Sequence, residues 1–233
     1  MKKFSIVLIS FVLIAFAAIA VQYDSLDVIG NGSLVSFEKI LKILPKTPFK
    51  QNGDWIIESP GNKTKFVLAK SENQVNENAG GQYALYLEFD IAPFLKAGLN
   101  PDKLPENIIA AKNAIVIGRE FKIKKLETMF TEPGDTLAYL YQKILNSNRS
   151  AIGYHSALDH YGIDLGNGNM FEWAKDSKTN DKDIVFVLNP QPFIDAGVNP
   201  EKIDGWLYAK VPIMDAKGKK TEVFKILKPF NLD

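Results

Sequence analysis

The sequence predicts an α+β protein of two homologous repeats, each an antiparallel β-sheet with a packed N-terminal helix. Three observations carry that expectation. The segment Pro93-Phe94-Leu95-Lys96-Ala97-Gly98-Leu99-Asn100-Pro101-Asp102-Lys103-Leu104 returns as Pro192-Phe193-Ile194-Asp195-Ala196-Gly197-Val198-Asn199-Pro200-Glu201-Lys202-Ile203, one small domain's length further on rather than at a solenoid period. Around each copy the same order of helical and alternating hydrophobic periodicities recurs. The chain has 233 residues and no cysteine, so each half must build its core from burial alone, without a disulfide or a thiolate metal site.

The first residues read as a targeting segment. Lys2 and Lys3 precede an uncharged apolar run from Ser5 to Val21, and Ala18-Ile19-Ala20 offers the small-x-small pattern of a signal-peptidase site. Residues 1–20 are therefore expected to be a signal peptide or, uncleaved, an N-terminal membrane anchor. Both place the body outside the cytoplasm, in an extracellular, cell-surface or periplasmic setting. Residues 21–35 read as a linker, 36–127 as the first repeat and 128–233 as the second.

Phe37, Ile40, Leu41 and Leu44 follow Ser36 with helical spacing, and Leu137, Leu140, Tyr141 and Ile144 follow Asp135-Thr136 in the same way. Each repeat thus opens with a capped amphipathic helix. A hairpin comes next: Trp55 to Glu58, a turn at Pro60-Gly61-Asn62, and Phe66 to Lys70. Its counterpart is Gly162 to Leu165, Gly166-Asn167-Gly168, and Phe171 to Lys175. Tyr83 to Phe89 and Ile184 to Leu188 are apolar runs of strand length, expected at the centre of the sheets.

The repeated segment itself reads as punctuation. Pro93 and Pro192 can open a short helix, Gly98 and Gly197 can end it in the left-handed conformation, and Asn100-Pro101 and Asn199-Pro200 start another turn with Asn as cap. A strand pair then closes each repeat, from Ala111-Lys112 to Phe121-Lys122-Ile123 and from Ala209-Lys210 to Phe224-Lys225-Ile226.

Charge argues by exclusion. The formal net charge of +1 turns slightly negative once Lys2 and Lys3 are set aside, which gives the body no electrostatic footprint for nucleic acid. Lysines gather at Arg119 to Lys125 and at Lys217 to Lys228, where they read as solvated faces guarding edge strands rather than as contacts to an anionic surface.

Candidate chemistry is confined to a few places. The only histidines, His155 and His160, flank Ser156 and Asp159 in Gly153-Tyr154-His155-Ser156-Ala157-Leu158-Asp159-His160-Tyr161. If helical, this stretch would put His155 and Asp159 on one face, and His155, Asp159 and His160 form a plausible ligand set for zinc or a related divalent ion, or a catalytic trio. The first repeat has no histidine in the corresponding region, Lys50 to Trp55. A hydrogen-bonded structural pair is the competing reading. Ser156 lacks the Gly-x-Ser-x-Gly elbow of a serine hydrolase. Glu172, Asp176 and Asp181 could serve as a glycosidase acid and base, and Trp55, Trp173 and Trp206 could line a ligand cleft, although their strand positions suit a core. The polar loop Ser71 to Gly81 lacks calcium-loop spacing. Sequons stand at Asn31, Asn62 and Asn148.

Glu132-Pro133-Gly134-Asp135, followed by His160-Tyr161-Gly162-Ile163-Asp164-Leu165-Gly166-Asn167-Gly168, resembles the Pro-Gly-Asp and His-x-Gly-Ile-x-x-Gly-x-Gly segments of the papain-like LRAT and NlpC/P60 hydrolases. The resemblance covers a small part of the chain. That family sets a cysteine nucleophile opposite the histidine, and this chain has no cysteine, so the resemblance implies at most an inactive relative.

The expectation that follows is an exported or membrane-anchored binding or interaction protein. Its partner would be a protein, a glycan or a small ligand held between the repeats, without nucleic acid, and it would touch a membrane only through an uncleaved N-terminal segment. The alternative is a metal-dependent or inactive papain-like hydrolase using the histidine cluster of the second repeat.

Overall fold

The structure, a computed structural model, describes residues 26–44, 48–51, 54–59, 64–70, 81–123, 137–138, 141–142, 151–175, 184–215 and 217–230. Two antiparallel sheets and a few helices make a mixed α+β fold. The first sheet is built from β1 (Phe49–Gln51), β2 (Asp54–Glu58), β3 (Thr64–Lys70), β4 (Gly81–Asp90), β5 (Ile108–Ala110) and β6 (Ala114–Ile123), in the order β1-β2-β3-β4-β6-β5. The second uses β7 (Ile152–His155), β8 (His160–Asp164), β9 (Met170–Ala174), β10 (Ile184–Leu188), β11 (Leu207–Met214) and β12 (Lys220–Pro229), in the order β7-β8-β9-β10-β12-β11. Both sheets therefore follow one path, and both expected hairpins and both central strands, β4 and β10, form. The short edge strands β1 and β7 are additions to what the sequence suggested.

Alternation directs the packing. Ile57, Phe66, Leu87, Ile117 and Ile108 form one row across the first sheet, and Ile152, Ile163, Phe171 and Phe186 form one across the second. All are buried, and they meet in one continuous core. Phe66 and Phe171, at corresponding hairpin positions, stack with centroids 4.7 Å apart and planes within 6°. Each fully buried aromatic ring removes some 150–250 Å² from water, so this layer dominates the stability.

The helix α1 (Leu26–Ile43) begins earlier than the sequence suggested. Residues 26–35, read as linker, are helical, and Ser36 lies within the helix rather than at its cap. Its hydroxyl instead donates to the Ala174 carbonyl at 3.1 Å and accepts the Trp173 indole N–H at 3.0 Å. Phe37 stacks on Tyr141 with centroids 4.3 Å apart and lies 5.3 Å from Trp173. The helix that precedes the first sheet thus packs on β9 of the second. Residues 137, 138, 141 and 142 are helical as expected, with Leu137 and Tyr141 buried; Leu140 and Ile144 lie outside the described residues, as do the leader, the loop 71–80, residues 132–135, Asp176 and Asp181. Among the described residues no helix is long and apolar enough to cross a membrane.

The repeated segment forms α2 (Ala92–Lys96) and α3 (Gln191–Asp195), each followed by a 3₁₀ turn whose Asn100 or Asn199 side chain accepts the backbone N–H two residues on. Gly98 and Gly197 take φ +106° and +96°. They also face each other: a Cβ on Gly98 would stand 2.6 Å from the Gly197 carbonyl oxygen, and one on Gly197 would stand 2.9 Å from that of Gly98. The Asn100 N–H donates to Ala196 O and the Asn199 N–H to Ala97 O, both at 2.8 Å. Phe94 and Phe193 meet at 5.1 Å. The segment is thus a contact between the halves as well as punctuation, and glycine is required there for its conformation and for its size.

One small void lies between the sheets among the described residues. Phe37, Phe66, Leu85, Leu137, Tyr141, Ile152 and Ile163 surround a void of about 10 Å³, at most the room of one water. Trp173 is fully buried and Trp206 packs edge-on against Phe89 and Phe94, so these tryptophans serve the core.

Candidate functional site

The stretch from His155 to His160 is a strand end, a turn and a strand start rather than a helix. His155 ends β7, His160 begins β8, and residues 156–159 turn between them. The two histidines are register partners, so their side chains lie on the same face of the sheet. That face is the outer one, because Tyr161 and Ile163 point into the core.

Glu172 of β9 stands on the same outer face, opposite Gly162. Gly162 lets it turn sideways: a Cβ there would meet Glu172 Cγ at 3.2 Å and collide with the Met170 methyl. The carboxylate lies between the two imidazoles, with His155 Nδ1 3.5 Å from Oε1 and His160 Nδ1 3.6 Å from Oε2. These spacings exceed the 2.7–2.9 Å of a tight charge-assisted hydrogen bond. Only 4% of the Glu172 side chain is exposed, against 18% of each histidine. Burial by itself would raise the Glu172 carboxyl, but contact with His155 and His160 and their charges outweigh it and bring it down to about 2. The two histidines thus hold a buried carboxyl below its usual range.

The side chains that the structure brings together are therefore His155, Glu172 and His160, whereas Asp159 of the sequence-derived trio has other partners. Asp159 adopts φ 56° in the turn, accepts the Tyr154 hydroxyl and lies 3.9 Å from Lys175 Nζ; its carbonyl accepts the Lys175 N–H. It holds the turn closed. Among the described residues no three His, Asp or Glu side chains converge as metal ligands, because the two imidazoles address opposite oxygens of one carboxylate. His155 Nε2 and His160 Nδ1 are buried without a hydrogen-bond partner. Lys225 is the further cation whose charge acts on Glu172; burial lowers its pKa, the carboxylate raises it, and its ammonium donates to Gly168 O at 3.1 Å.

Ser156 is exposed in the turn. The stretch that resembles the papain-like hydrolases becomes β8 and the turn after it, and residues 132–135 lie outside the described residues. Glu172 was legible only as one of several carboxylates. The signal that pairs it with the histidines is the alternation of β9, which sends Phe171 and Trp173 inward and Glu172 outward.

Fold and site together define a mixed α+β protein of two antiparallel sheets, the second bearing a carboxylate clasped by two imidazoles. Comparison with protein-family models, curated proteins and solved structures finds no match.

Proposed function

We propose that this chain is an exported or membrane-anchored extracytoplasmic binding protein, derived by duplication of a sheet-and-helix unit, whose ligand surface is the outer face of the second sheet around His155 and His160. The observation that carries the reading is the buried Glu172 carboxylate set between two partly exposed imidazoles, an arrangement that costs desolvation. Both Nδ1 atoms face Glu172 and His155 Nε2 is buried, which leaves His160 Nε2 as the imidazole group that would meet a polar ligand such as a glycan, a peptide or a small anion. Support for duplication comes from the shared strand order and from the corresponding pairs Phe66 with Phe171, Phe94 with Phe193 and Gly98 with Gly197, which meet as a two-fold arrangement requires. Support for export comes from the leader pattern alone.

Among the described residues no serine or threonine hydroxyl is hydrogen-bonded to either histidine, and the metal-dependent form of the hydrolase alternative would need the carboxylate to rotate. The test is a screen of immobilised protein against glycan and peptide libraries, beside a variant with His155→Ala and His160→Ala. Ligands retained by the natural protein and lost by the variant support the reading. Stoichiometric zinc binding, or ester hydrolysis lost in that variant, would overturn it in favour of the enzyme. Protease accessibility in intact cells tests the compartment separately.

A further inference from the structure

The two sheets share one strand order but differ at one end. In the first, β5 and β6 are joined by a tight turn closed by the Ala111 N–H to Ala114 O hydrogen bond. In the second, β12 pairs with β10 only over residues 226–229, whereas its residues 220–227 pair with β11 over 207–214. Residues 209–225 therefore run on beyond β10 as a two-stranded ribbon, because β10 stops at Leu188 and the chain turns away into α3 at Pro190; its base keeps to the fold through buried Val211 and the Lys225 ammonium on Gly168 O, and its end at residues 217–220 is exposed. Nothing in the shared frame requires this extension, since the first sheet closes without it.

The ribbon has a distinct surface. Lys210, Lys217, Lys219 and Lys220 are exposed, and Phe224 keeps 45% of its surface in water, with Lys210 Nζ 5.6 Å above its ring and Tyr208 stacked on it. Asp215 accepts the N–H groups of Lys217 and Lys219, which fixes the turn. Lys210 reaches Glu222 at 3.9 Å; among the described residues Lys217, Lys219 and Lys220 form no ion pair. A chain of nearly balanced charge thus concentrates lysine at one exposed tip. Every exposed cation there is lysine rather than arginine, so the tip lacks the planar fork that reads individual carboxylates. By alternation Lys220 and Phe224 stand on one face of β12, with Lys210 beside the ring, and point charges with a half-exposed ring on one face suit a diffuse anionic interface into which the ring can insert.

We propose that the β11–β12 ribbon docks on an anionic lipid bilayer, with Lys217, Lys219 and Lys220 over the headgroups and Phe224 at the interface. The proposal is independent of the ligand reading at His155 and His160. It also revises the expectation that these lysines only guard an edge, since they stand at the end of a ribbon.

The absence of cysteine gives a direct test. Met214→Cys, the register partner of Lys220 and on the Phe224 face of the ribbon, carries an environment-sensitive fluorophore, and Asp102→Cys carries it on the first sheet's side as a control, each in the full chain. Both are exposed to vesicles of phosphatidylglycerol and of phosphatidylcholine. The expected result is a blue-shifted signal at position 214 on phosphatidylglycerol alone, silent at position 102 and suppressed by salt. K217Q, K219Q and K220Q together should weaken it about a hundredfold, with near-UV circular dichroism unchanged. No response at 214 on phosphatidylglycerol, or an equal response on phosphatidylcholine, overturns the proposal. So does a response to polyglutamate with none to vesicles, which would assign the tip to an acidic protein.

Discussion

Val67 in the first sheet stands where Glu172 stands in the second, each following the phenylalanine that stacks at the centre of the core. Opposite them are Ile56 and Gly162, and the pair that ends the edge ladder is Gln51 with Asp54 in one sheet and His155 with His160 in the other. Inner faces agree between the halves, while outer faces diverge. In the first sheet Ile56 and Val67 make the outer face locally apolar, and the neighbouring Tyr86 phenol is pushed up to about 12 by burial, Asp54 and Glu88. In the second, two glycines at 153 and 162 clear the ground for a buried anion and two imidazoles. The two sheets thus resemble each other where they meet in the middle and differ on the outside.

The strongest way to break this comparison is at the central stack. Phe66→Ala and Phe171→Ala should each cost about 3–5 kcal/mol in urea unfolding, and the double variant should cost less than their sum, because the two share one contact. Full additivity would mean that the inner faces do not meet there. Gly98→Ala and Gly197→Ala should cost similar amounts, each about 1–3 kcal/mol from backbone conformation before any clash; a harmless change at either would separate the two motifs. Ser36→Ala should cost about 1–3 kcal/mol, since it strands the Trp173 indole N–H, and it would show that α1 serves the second sheet. The smallest effect belongs to the Arg119 to Asp164 pair, which joins β6 to β8 at 3.4 Å with both side chains partly exposed. Arg119→Gln should change stability by no more than about 1 kcal/mol.

Hairpins and central strands were legible because apolar runs of strand length are separated by turn residues. The edge strands were not: Phe49-Lys50-Gln51 is too short to show a period, and the two histidines of β7 and β8 admit a helical reading as well as a turn. The true start of α1 was hidden because Ser36 looks like a cap, whereas it is the polar partner of a tryptophan far along the chain. The same limit applies at the site. His155 and His160 announce themselves by rarity, but Glu172 joins them only through strand register, and Asp159 looked nearer than it is. The ribbon escaped because its hydrophobic pattern continues that of the sheet, and only the early end of β10 leaves it two-stranded.

The central claim is that Glu172 is a buried anion held by two imidazoles where the first half has an apolar residue. A carboxyl whose folded pKa lies below its unfolded value contributes stability that is present above the unfolded value and lost as pH falls toward the folded one. For Glu172 that window runs from its ordinary 4.5 down to about 2. Unfolding free energies of the natural protein and of Glu172→Gln, measured from pH 7 to pH 2, test it directly. The natural protein should lose stability more steeply than the variant within that window, whereas two parallel curves would contradict the account.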